Sequence, residues 1–107
     1  MGATVIAIYK AKEGCEAEMM DVIKEHLPIL RKEGLATETP GILLEAPDGA
    51  ILEIFDWVSQ EAISSAHTNP QVLALWERFG KVSEYRTLGA LSNAGDVFPG
   101  FKRLTLS

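Results

Sequence analysis

The chain has 107 residues, 47% of them hydrophobic and 23% charged, which is enough for one domain with a real core and too apolar for a disordered chain. Its formal charge of −5 argues against nucleic acid and against an anionic membrane surface as partners. A single cysteine excludes an internal disulfide and a thiolate zinc cluster, and the first ten residues lack the marks of a secretory signal and the length to span a bilayer, so the cytoplasm is the expected compartment.

Residues 4–12, TVIAIYKAK, read as a first strand with Val5, Ala7, Tyr9 and Ala11 on one face and Thr4, Ile6, Ile8 and Lys10 on the other. Residues 15–34 follow helical spacing. Met19, Val22, Ile23, Leu27 and Leu30 fall in one half of the wheel with His26 among them, and the charged residues fill the other half. Pro28 lies at the centre of the polar half, where it removes a bond to Lys24 and bends the helix, and Gly34 is the expected stop. Residues 41–46 read as a second strand. Pro47, Asp48 and Gly49 then turn the chain into a third, at 51–58, predicting an antiparallel hairpin.

The third strand places Ile51, Glu53, Phe55 and Trp57 on one face and Leu52, Ile54, Asp56 and Val58 on the other, both largely apolar and therefore both covered. Ser59 caps a short helix at 60–66, in which His67 follows Ile63 by four residues and is expected to point inward. Asn69 and Pro70 restart the chain as a second helix, to residues 79–81, with Val72, Leu73, Leu75, Trp76 and Phe79 along one stripe. Residues 82–91 read as a fourth strand. Residues 93–107 form a tail that carries Phe98, Phe101 and Leu104, expected to dock on the domain at 1–92 or on a partner subunit.

The order strand, helix, two strands, helix pair, strand is βαββαβ, the ferredoxin-like α+β arrangement, with helices on one face of an antiparallel sheet. Its second face is apolar as well, and a homodimer in which two sheets meet face to face is the expected cover.

Among chemistry-bearing residues, His67 and His26 are the candidate bases, from two different elements, because imidazole exchanges protons near neutral pH. The competing role for His67 is to cap carbonyls of its own helix, and for His26 to be a core histidine satisfied by a neighbour. Trp57 and Trp76 suit stacking on a flat aromatic ligand, against plain core packing. Glu53 is a candidate buried carboxylate, with Arg86 considered as its partner, and Tyr9 and Tyr85 are candidate hydrogen-bond donors. The histidines and scattered carboxylates lack ligand spacing, and no metal is expected.

FDWVS at the end of the third strand, the following EAISSAH, and the Asn-Pro step that opens the next helix resemble the antibiotic biosynthesis monooxygenase family, within the dimeric α+β barrel superfamily. Trp57 matches the tryptophan at the strand end, Ala66 and His67 the Ala-His helix end, and Asn69 and Pro70 the small-residue-Pro step. The resemblance spans residues 5–91. It implies a homodimeric barrel that binds a small hydrophobic, aromatic molecule and oxidises a quinol or phenol without metal or flavin. Other members point to a non-catalytic binding module, or to an isomerase or lyase that uses a base and no oxygen. The haem-degrading branch uses an Asn on the first strand, and TVIAIYKAK has none.

Overall fold

The computed structural model describes residues 2–105. Its elements are β1 (Ala3–Ala11), α1 (Glu16–Lys32), β2 (Ile42–Glu45), β3 (Ile51–Trp57), α2 (Gln60–Ala66), α3 (Pro70–Val82), β4 (Ser83–Tyr85) and β5 (Lys102–Leu104), with one 3-10 turn at Leu88–Ala90. The strands make one antiparallel sheet in the order β4-β1-β3-β2-β5. This is an α+β fold compatible with the ferredoxin-like arrangement. No helix among the described residues is long and apolar enough to cross a membrane.

Local chemistry explains the boundaries. The β2–β3 turn is closed by Gly49 N–H donating to the Ala46 carbonyl (2.9 Å) and by Ala50 N–H donating to Asp48 Oδ1 (3.0 Å). Gly49 sits at φ +90, where a side chain would be strained. Ser59 Oγ accepts from Ala62 N–H (3.1 Å) to start α2, and Asn69 Oδ1 accepts from Gln71 and Val72 to start α3. Pro28 lies inside α1 on its exposed side.

The helices cover the face that carries Tyr9, Glu53, Phe55 and Trp57. Tyr9, Leu43 and Ile51 of the sheet pack with Ile23, Leu75 and Phe79, and Phe55 and Trp57 pack with Leu30, Ala66 and Val72. Each fully buried side chain of this size contributes roughly 1.5–3 kcal/mol of transfer free energy. Register follows from this, because a slip by one residue would carry Glu53 and Phe55 to the opposite face.

Two expectations change. The fourth strand was expected over residues 82–91, but α3 continues to Val82 and β4 is only three residues long. Ser83 Oγ donates to the Phe79 carbonyl (2.8 Å) at the helix end, and Arg86 N–H donates to the Ile8 carbonyl (2.9 Å) as the last link to β1. Residues 84–90 are all exposed, so their alternation has no core to bury against, and Gly89 adds no packing. The second face of the sheet is also not left entirely to a partner. Leu91, just after the 3-10 turn, and Phe101 from the tail lie over Ile8, Ala46, Ala50 and Leu52, and β5 pairs with β2, Leu104 opposite Leu43. Asn93 Nδ2 donates to the Gly100 carbonyl (3.0 Å) and closes the loop between them. Ile6 remains 45% exposed on this face, and Phe98 is 92% exposed.

Candidate functional site

The site grows from a single carboxylate. Alternation along β3 turns Glu53 to the helix face, where it is only 1% exposed, and Ala7 stands directly across from it on β1. Two residues further along β1, Tyr9 reaches back diagonally, and its hydroxyl donates to Glu53 Oε1 at 2.9 Å. From above, α1 presents His26 from its buried stripe, and His26 Nδ1 lies 2.7 Å from the same Oε1. Glu53 Oε2 is buried without a hydrogen-bond partner among the described residues.

Aromatic rings fix this group in place. Tyr9 stacks on Phe79 of α3, with centroids 4.6 Å apart and planes within 6°. The His26 ring meets Phe55 at 5.2 Å and Phe79 at 5.3 Å, both nearly perpendicular. The Tyr9 phenol is held well above its ordinary value of 10.0, first by burial, then by the charge of Glu53 and the hydrogen bond to it.

Beside this group a cleft of about 360 Å³ lies between β1, β3, α1 and α3. Tyr9, Phe55, Trp57, Trp76 and Tyr85 form an aromatic wall, and His26 completes it. Ile6 also lines it, although its side chain belongs to the other face, so the cleft reaches the edge of β1. Pairing explains why it opens there. β4 pairs only with Tyr9, Lys10 and Ala11, and the rest of β1 has a neighbouring strand on one side alone among the described residues. With Nδ1 bonded to Glu53, Nε2 is the imidazole nitrogen without a hydrogen bond among the described residues.

Of the residues singled out in the sequence, the cleft brings together His26, Trp57, Trp76, Tyr9 and Tyr85, with Glu53 directly behind. It does not include His67. That residue was expected to point inward, but α2 ends at Ala66 and His67 is its exposed C-cap, with Nδ1 donating back to the Ile63 carbonyl (2.9 Å). Its ring stands on the edge of Trp76 at 5.2 Å, outside the cleft lining. Arg86 does not meet Glu53 either; it pairs with Glu84 at 2.8 Å. Phe55 and Phe79 were read only as core, and the alternation of β3 and the stripe of α3 already placed them beside Glu53 and Trp76. Among the described residues, no group of three or more His, Cys, Asp or Glu side chains is arranged to hold a metal.

Searched against family models, curated proteins and solved structures, the chain matches none. The site therefore stands on its own geometry. An imidazole with one nitrogen tied to a carboxylate, the other without a hydrogen bond among the described residues, and its side chain lining an apolar aromatic cleft can take a proton from a hydroxyl placed against the second nitrogen. Among the described residues the cleft lining has no lysine or arginine, and Glu53 is bonded to the His26 that lines it, so an uncharged ligand suits it better than an anion.

Proposed function

We propose that the protein is a cofactor-independent monooxygenase acting on a phenol- or quinol-like aromatic compound, with His26 as the base. The observation that supports this is the imidazole held at Nδ1 by Glu53 and facing a cleft lined by Trp57, Trp76 and Tyr85. His26 Nε2 takes the phenolic proton. The electron pair of the resulting anion forms a bond from its ring carbon to dioxygen, and the imidazolium returns the proton to the outer oxygen. Loss of the ring hydrogen from that carbon then breaks the O–O bond. Phenol and dioxygen thus give quinone and water. The apolar wall keeps bulk water from the intermediate. Tyr9 and Tyr85 border the cleft, Tyr9 with its hydroxyl committed to Glu53.

The proposal includes a homodimer across the second face of the sheet. Ile6, and Leu88 at 55% exposure, support it as apolar surface that the tail leaves uncovered. The half-buried, unpaired Cys15 agrees with a reducing compartment, the cytoplasm.

The test is oxygen uptake over a panel of uncharged naphthols and quinols, comparing the natural protein with His26→Asn. The asparagine amide can still donate to Glu53 but presents nothing in place of Nε2. General-base chemistry predicts a loss of about 10²- to 10⁴-fold in rate. Uptake unchanged in His26→Asn would remove His26 as the base. Proton exchange of a bound ligand under anaerobic conditions, without uptake, would instead mark an isomerase or lyase. Ligand binding with neither activity would leave a binding module.

A further inference from the structure

We infer that Glu53, steadied by Tyr9, is a positioning residue that keeps a proton on Nδ1 of His26 in both charge states of the ring, so that Nε2 alone exchanges protons, on the side of the cleft. The warrant is a count of donors at one atom. Glu53 Oε1 receives the Tyr9 hydroxyl at 2.9 Å and His26 Nδ1 at 2.7 Å. A carboxylate oxygen has only lone pairs to offer, so both neighbours must supply hydrogen. With Glu53 as the carboxylate both hydrogens come from its neighbours, and a proton on the carboxyl leaves Oε1 an acceptor only where it sits on Oε2, which has no hydrogen-bond partner among the described residues. A proton on Oε1 would reverse the bond and show below as an unprotonated Nδ1.

Rotation of the ring could defeat this arrangement by exchanging Nδ1 for a carbon. Phe55 and Phe79 oppose it, both packed against the imidazole and nearly perpendicular to it. Phe79 also stacks on Tyr9, so one side chain of α3 steadies both donors to Glu53. The ionisable groups around His26 are Glu53 from β3, Tyr9 from β1 through its bond to Glu53, and Tyr85 from β4 in the wall of the cleft that His26 also lines, while α3 turns Phe79 to it. When Nε2 accepts a proton, the imidazolium forms beside a carboxylate already in place, and no group has to move. The use of this in catalysis rests on the reading of His26 as the base. The tautomer itself does not.

The experiment is therefore run without substrate. Two-bond proton–nitrogen correlation spectra of the uniformly ¹⁵N-labelled protein are recorded across a pH titration, for the natural chain and for Glu53→Leu. The natural chain should show Nδ1 protonated throughout, and Nε2 changing from an unprotonated to a protonated nitrogen as pH falls. Glu53→Leu, close in size and without an acceptor, should give a mixture of the two neutral tautomers. An unprotonated Nδ1 in the natural chain overturns the inference, and so does an unchanged Nδ1–H population in a folded Glu53→Leu. Where Glu53→Leu does not fold, Glu53→Gln replaces it: its amide oxygen can take the place of Oε1, so Nδ1–H should persist, and its loss overturns the inference. If the tautomer is as stated and His26→Asn still supports full oxygen uptake, the base assignment fails while the positioning role stands.

Discussion

Glu53 keeps its place in the interior because two donors meet it, and each can be removed separately. Tyr9→Phe deletes one hydrogen bond to a buried carboxyl group and leaves the stack on Phe79 intact. Bonds to charged groups are worth about 1.5–3 kcal/mol, and urea unfolding should show a loss of that order. A change under about 0.5 kcal/mol would mean that the phenol contributes nothing there. The pH dependence has a definite sign. Tyr9 ionises above 10.0 in the folded chain, so the unfolded chain releases its proton first. The stability from this residue is complete below 10.0 and is lost as pH rises from there through the higher folded value, which paired unfolding curves of the natural chain and Tyr9→Phe would reveal as convergence. These residues were partly legible beforehand. Alternation grouped Tyr9 with Val5 and Ala7, and Glu53 with Phe55 and Trp57, and the helical wheel put His26 in the apolar half of α1, but no pattern in one sequence says that these faces meet or which partner a buried carboxylate takes. Arg86 was the plausible choice by charge, and the chain's departure from β1 after residue 86 left it on Glu84.

At the scale of elements, caps and turns were readable because their chemistry is local. Asn69 and Pro70 fix the start of α3 by a side-chain acceptor and a missing donor, and Pro47–Gly49 fixes the hairpin by one backbone angle. Asn69 also donates to Glu33 at the end of α1 (3.0 Å), so Asn69→Ala should cost about 1–2 kcal/mol by calorimetry, the upper part of the usual range for a cap. Pro28 offers the opposite case. It lies in the helix interior with its ring exposed, and Pro28→Ala should raise the unfolding midpoint, by up to about 3 kcal/mol in stability, as the missing backbone bond forms. A lower midpoint would show that Pro28 helps to seat α1 on the sheet. The fourth strand was overread because Tyr85, Thr87 and Gly89 alternate acceptably with Glu84, Arg86 and Leu88. Alternation reports a pleat only where one side is buried, and the sequence could not show that both sides here face outward. His67 failed for a related reason. The four-residue spacing from Ile63 holds, but at the end of α2 the carbonyl of Ile63 is free to accept, and the His67 ring bonds it and stays exposed.

For the whole molecule, the question is what covers the second face of the sheet. The tail supplies part of the answer through Phe101, which is half-buried beside Leu52, Leu44 and Leu91. Phe101→Ala should cost about 1–2 kcal/mol, less than a fully buried phenylalanine, and should leave the imidazole spectra unchanged because it acts on the other side of the sheet. The proposed dimer has its own test. Ile6→Lys changes an exposed position and should leave the stability of the single chain within about 0.5 kcal/mol, while sedimentation shows a shift toward monomer. A mass that is monomeric in the natural chain at all concentrations would exclude the dimer. Neither the tail's landing place nor its pairing with β2 was specified by residues 93–107, since two phenylalanines say that something is covered without saying what.

β4 is three residues long, and the consequence is architectural. Where it stops, the sheet has a doorway, framed by β1 below and by Trp76 and Tyr85 at its posts. The width of that entrance is set by backbone extent. Two further paired residues would advance the strand by roughly 7 Å, bringing main chain across the opening while leaving Tyr9, Glu53 and His26 untouched. Under the proposed function, the number of rungs in one edge ladder would then set the size of molecule admitted, with the groups inside the cleft unaltered.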